Sequence, residues 1–271
     1  MRARLLGIVG IAALTFGFAA SAFAADIIQN GIDAWATTDD GSTFVDFAKT
    51  PIPAGFFCAS SAPFTSKVAF RGEPIVTGPP GALGKADTIV QRLDDAMFSK
   101  RGRAVTRIQF RALSLRSMEP IKTACGKFSV TASLEGVQPI TRMVIVREDE
   151  NGGRFSAPLS LNVKMRFTPI GRTSREIFEL AKMVHFPADL NVPWRSKDVA
   201  PVPAGFVLVD TDGDRTADTY LPGTSNFIAG QSSRPNLSKP GLNVAAGGQW
   251  VCHAGEGHQH CFWLCDGCQI P

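Results

Sequence analysis

Tyrosine occurs once in this chain of 271 residues and tryptophan four times, against 19 phenylalanines. Phenylalanine packs cores, whereas tyrosine and tryptophan supply amphipathic platforms for sugars and protein partners. The aromatic content therefore favours interior over recognition surface, with Trp35, Trp194, Trp250 and Trp263 as the platform candidates. Histidine is scarce where catalysis would need it: outside the carboxyl-terminal stretch only His185 is present, in MVHF. A lone histidine in such an apolar run is the pattern of a hydrogen-bonded structural residue. The chain has no G-x-S-x-G, no H-E-x-x-H and no glycine-rich phosphate loop. Hydrolase elbows, zincin helices and nucleotide cradles are excluded with them. Glu148, Asp149 and Glu150 sit together at an expected hairpin tip and read as a solvated turn, so no carboxylate pair of glycosidase type stands out.

Charge of one sign is also missing. The formal net charge is +4, and removing Arg2 and Arg4 leaves basic residues barely ahead of the 24 acidic ones. No basic stripe with interleaved aromatics accompanies it, which argues against a nucleic-acid partner. After the first two dozen residues no stretch is apolar enough to span a bilayer.

Those first residues carry the compartment signal. Arg2 and Arg4 precede the apolar run LLGIVGIAALTFGFAA, and Ala22-Phe23-Ala24 fits the small-x-small cleavage rule. Residues 1–24 are expected to be a secretory signal peptide, cut before Ala25, leaving a secreted or periplasmic protein with no membrane span.

Period-2 alternation dominates the segments beyond the signal. In SLNVKMRF, Leu161, Val163, Met165 and Phe167 fall on one face, and Ser160, Asn162, Lys164 and Arg166 on the other. TRMVIVRE upstream is a second strand, and the Asn-Gly-Gly between them supplies a hairpin turn. KVAFRGEPIV, ADTIVQRL, VTRIQFRALSL and KFSVTAS read the same way. REIFELAKMVHF fits a capped helix through Thr173 and Glu176, yet its alternation, broken only at Lys182, favours a strand among such neighbours. The expected fold is an all-β antiparallel sandwich of Ig-like or jelly-roll-like kind. The echo of PIPAGF (51–56) in PVPAGF (201–206) admits two sandwich subdomains, or similar strand-entry chemistry used twice. The expected organisation is a sandwich domain over 25–170, a second β region over 171–230, a Ser/Pro/Asn/Gly-rich linker over 231–248 and a Cys/His-rich tail over 249–271.

The sharpest local pattern is VDTDGDRTADTYLPG. Asp210, Asp212, Asp214 and Asp218 occupy positions 1, 3, 5 and 9 of an oxygen-ligand loop. Calcium takes six to eight hard oxygens, and alternate residues of a tight turn converge on one point. The run resembles the aspartate-rich loops of thrombospondin type 3 repeats and dockerins. That resemblance covers about ten residues and implies a calcium site rather than a family, with the Thr216 carbonyl as a further ligand. Arg215 stands where such loops carry glycine, and Leu221 where an EF-hand places its bidentate glutamate. An EF-hand sensor is therefore not expected, and a solvated Asp/Gly turn is the plain alternative.

Six cysteines in an exported chain read as disulfides. Cys58 and Cys125 lie beside strand-like runs and are natural partners, while Cys252, Cys261, Cys265 and Cys268 admit three pairings. The competing use of the tail is zinc or copper binding, with His253, His258 and His260 interleaved among the thiols. A C-x-x-C without a surrounding βαβ pattern does not make a thioredoxin-like site. The function expected from the sequence is non-enzymatic: an exported, calcium-stabilised β-sandwich with a binding or structural role towards an unidentified protein or surface partner. The alternative is a periplasmic zinc- or copper-binding protein that uses its tail.

Overall fold

The computed structural model describes residues 27–37, 39–78, 83–171, 176–186, 192–196, 205–223, 226–229, 249–255 and 258–264, the last two segments as backbone only. Residues 1–24, expected to be a signal peptide, residues 231–248, expected to be a linker, and Cys265 and Cys268 lie outside the described residues. The chain runs through β1 (Ile27–Ile28), β2 (Gly31–Thr37), β3 (Phe44–Asp46), β4 (Lys67–Gly72), β5 (Thr77–Gly78), β6 (Thr88–Arg92) and β7 (Ala96–Met97) to the long β8 (Arg103–Ser117). Then come β9 (Ile121–Thr123), β10 (Gly126–Leu134), β11 (Thr141–Asp149), β12 (Gly152–Ser156), β13 (Leu159–Ile170) and β14 (Phe178–Phe186). The last elements are β15 (Val192–Arg195), β16 (Phe206–Val209), β17 (Thr219–Pro222), β18 (Ile228–Ala229), β19 (Gln249–Gly255) and β20 (His258–Leu264). The described residues are all-β, as alternation requires.

β8 organises the molecule. Its first half pairs antiparallel with β11 and β6, and its second half with β10 and β4, so one strand serves both layers of the sandwich. One layer continues through β12, β15 and β18, and the other through β10, β13 and β14. Between them Ile108, Met143, Ile145 and Trp194 meet Phe128, Leu161, Met165 and Phe167 in one buried cluster. Each such side chain contributes roughly 1.5–3 kcal/mol by leaving water. The inner face expected for SLNVKMRF is buried throughout, and the opposite positions stay half-buried or exposed.

The crossover of β8 between layers depends on a bulge. Ile89 pairs with Ala112 but Val90 pairs with Phe110, so Arg111 is the extra residue. The shift puts Phe110 and Ala112, which a regular strand would place on one face, into two different clusters. The second cluster, with Ile32, Ile75 and Ile89, is closed by Val207, Val209 and Leu221 of a small sheet ordered β17-β16-β5. Strands on both sides of residue 170 therefore share sheets.

The segment read both as helix and as strand is strand β14, paired along its length with β13. Lys182, the break in its alternation, reaches the Thr50 hydroxyl at 2.7 Å. The Asn-Gly-Gly turn does not join TRMVIVRE to SLNVKMRF as expected: it folds β11 back onto the short β12, the strand ends at Ala157-Pro158, and SLNVKMRF lies in β13 between β10 and β14. Gly152 and Gly153 are required at the turn because a Cβ would strike the carbonyl oxygens of Trp194 and Val146. Of the echoed hexapeptides, 201–204 lie outside the described residues, but Gly55 and Gly205 both take positive φ (81° and 96°). Gly205 leads directly into β16, whereas Gly55 lies in a turn that no strand follows, so the echo repeats a glycine turn and not a strand entry.

β20 pairs with β19, with Ala36 and Thr37 of β2, and with Phe44 and Val45 of β3. The tail hairpin is thus hydrogen-bonded into the main sheet.

Candidate metal centre and neighbouring cleft

The aspartate loop joins β16 to β17. Its first residue is fixed from three sides: the Asp210 N–H donates to the Val76 carbonyl at 3.0 Å, Gly213 N–H donates to Asp210 Oδ1 at 2.7 Å, and Arg215 N–H to Oδ2 at 2.9 Å. Two further turns use the same chemistry, with Asp214 N–H on Asp212 Oδ1 (3.1 Å) and Thr216 N–H on Asp214 Oδ1 (2.6 Å). Alternate aspartates thus each fold the next residues around their own carboxylate. The outcome is that Asp210, buried, and Asp212 and Asp214, exposed, each bring a carboxylate oxygen within 4.8 Å of the others.

Arg215 holds φ at 75°, and it is the only non-glycine with positive φ among the described residues. The sharp turn is made there despite the side chain. Asp218 stands outside the three-carboxylate group, exposed, its Oδ1 accepting from the Thr219 hydroxyl at 3.2 Å. Three carboxylates at this separation repel one another unless a cation or peptide N–H groups face them. Backbone donors supply part of that compensation. The exposed side of Asp212 and Asp214 leaves room for a hard cation to supply the rest.

Thr211 and Asp212 also line a cleft of about 540 Å³ whose other walls come from β8, the loop after β10, and Lys164. The bulge in β8 turns Arg111 into this cleft, which is what an inserted residue does to the strand direction. Lys164 pairs with Glu135 at 2.8 Å. Gln138, buried, accepts from Asn162 N–H and donates to the Glu135 and Asn162 carbonyls, so the loop that forms the far wall is fixed. Arg111 and Gln138 escape sequence reasoning because each looks like an ordinary polar residue of a strand or turn.

The remaining candidates separate cleanly. Cys58 and Cys125 form a disulfide with Cα atoms 6.0 Å apart, as expected. Cys252 is the register partner of Cys261, and His253 of His260, while His258 lies opposite Gly255. His185 is exposed and shares a 3.0 Å hydrogen bond with the Ser160 hydroxyl across β13–β14. That is a cross-strand polar pair on an open sheet face. Trp35 and Trp194 are buried core residues and so are not surface platforms. At the β11–β12 tip Glu148 pairs with Arg154 at 3.0 Å, and Asp149 caps Asn151 N–H at 2.8 Å.

Two buried acids were invisible as such in the sequence. Asp87 accepts from Thr37 N–H, the Thr37 hydroxyl and the Thr88 hydroxyl, yet burial pushes its carboxyl up to about 7. Asp33 is paired with the fully buried Arg92. Comparison of the chain with protein-family models, with curated proteins and with solved structures finds no match.

Proposed function

We propose that this is an exported, non-enzymatic β-sandwich protein whose β16–β17 loop binds a calcium ion through Asp210, Asp212 and Asp214, with a binding or structural role at a surface. The observation that carries the reading is the gathering of three carboxylates within 4.8 Å, one of them buried. Hard, closely spaced oxygens suit calcium, and the absence of sulfur or imidazole in this group disfavours softer ions. The ion would order the loop that walls the adjacent cleft, so occupancy and the shape of the cleft are linked. With three carboxylates and an exposed rim, affinity falls in the weak range of extracellular modules, on the order of 0.1–1 mM.

The secretory signal and the Cys58–Cys125 bridge support an oxidising compartment. Thermal melts of the mature protein in EDTA and in millimolar calcium test the reading. A higher melting temperature with calcium, abolished in Asp212→Asn/Asp214→Asn, is the expected result; identical melts for the unmodified protein would remove the ion.

A further inference from the structure

The register of the tail hairpin sorts its metal-binding residue types. Cys252 opposes Cys261 and His253 opposes His260. Register partners share a face and neighbours along a strand alternate between faces. Cys252 and Cys261 therefore occupy one face of the hairpin, and His253 and His260 the other. His258 is two residues from His260 on the same strand, which places it on the histidine face as well. Three histidine positions converge on one side and no cysteine of the hairpin shares it.

We infer that the β19–β20 hairpin carries a transition-metal site built from imidazole nitrogen alone, at His253, His258 and His260, with Cys252 and Cys261 bridged as a cross-strand disulfide on the opposite face. The spacing suits both halves. Register partners in an antiparallel pair have Cα atoms about 4.5–5.5 Å apart, inside the range a disulfide spans. Alternate residues on one strand are roughly 6.6–6.8 Å apart. A cross-strand pair plus one alternate position is a backbone juxtaposition of the size that a three-histidine site for an ion of zinc type requires. Such a site keeps an open coordination position. It also resolves the competition between oxidation and metal binding, because oxidising the thiols removes no ligand from the ion. The site is far in the chain from the aspartate loop and takes a different class of ion, so each stands or falls alone.

The test uses the oxidised mature protein without an affinity tag, titrated with zinc in the presence of millimolar calcium. One equivalent of zinc is expected to bind, and His253→Asn/His260→Asn is expected to weaken it at least tenfold while Asp212→Asn/Asp214→Asn leaves it unchanged. Cobalt(II) loaded into the unmodified protein is expected to show ligand-field bands without thiolate charge transfer, a readout that needs no variant to fold. Peptide mapping under non-reducing conditions is expected to recover Cys252 linked to Cys261. Absence of zinc binding, a thiolate band, full retention of zinc by the double variant, or a different partner for Cys252 would each overturn the inference.

Discussion

Arg92 Nη1 meets the Asp33 carboxylate at 2.5 Å, with the arginine side chain fully buried and the aspartate nearly so. The pair bridges β2 and β6, and the same guanidinium donates to the Gln29 carbonyl at 3.3 Å and lies 4.5 Å from the Phe227 ring centroid. Removing one partner leaves the other charged and without water. Asp33→Asn is expected to destabilise the protein by about 3–5 kcal/mol. Asp33→Leu combined with Arg92→Met is expected to be less damaging than either single change, because the desolvation cost disappears with both charges. Urea unfolding of the unmodified protein, Asp33→Asn, Asp33→Leu, Arg92→Met and the double variant checks both statements.

Asp87 should make stability depend on pH in a direction opposite to that of most acids. Burial raises its carboxyl from 3.8 to about 7, outweighing the hydrogen bonds from Thr37 and Thr88 that pull it down. Between those values the folded state keeps a proton that the unfolded chain has released. Stability contributed by this group is then present in acid and declines as pH rises from about 4 to about 7, by about 4 kcal/mol at most. Denaturation of the unmodified protein and of Asp87→Asn across pH 4.5–8 (roughly the span of the two values) should show this slope in the first and not the second.

Arg215 is a strained choice at the turn of the aspartate loop. Glycine there would relieve about 1–2 kcal/mol of left-handed strain, partly offset by the greater freedom of glycine in the unfolded chain. Removing the cation beside three carboxylates should also favour a bound divalent ion. Arg215→Gly is expected to leave stability in EDTA nearly unchanged and to enlarge the calcium-induced rise in melting temperature. Paired calorimetric scans measure it.

The Cys58–Cys125 bridge closes a separation of 67 residues and sits beside the cluster of Phe57, Phe128 and Phe167. Cys58→Ala/Cys125→Ala is expected to cost about 2–4 kcal/mol, seen as a lower urea midpoint when both proteins are unfolded without reductant.

Much of the architecture arises from short-range pattern. Alternation in SLNVKMRF, TRMVIVRE and VTRIQFRALSL is a local consequence of a two-residue repeat meeting a half-buried sheet, and those segments are β13, β11 and β8. The spaced aspartates likewise fold the loop through bonds that span two to five residues, so their gathering was legible in the chain, apart from Asp218. The burial of Asp33, Asp87 and Arg92 was not, because an acid's exposure depends on strands that arrive from elsewhere in the chain. Nor was the role of Arg111, since a bulge is defined by the partner strand it fails to match. The tail shows the division most clearly: residue types and their spacing mark it as a place for sulfur or metal. Only antiparallel register, set by hydrogen bonds between β19 and β20 and by docking on β2 and β3, decides which residues share a face.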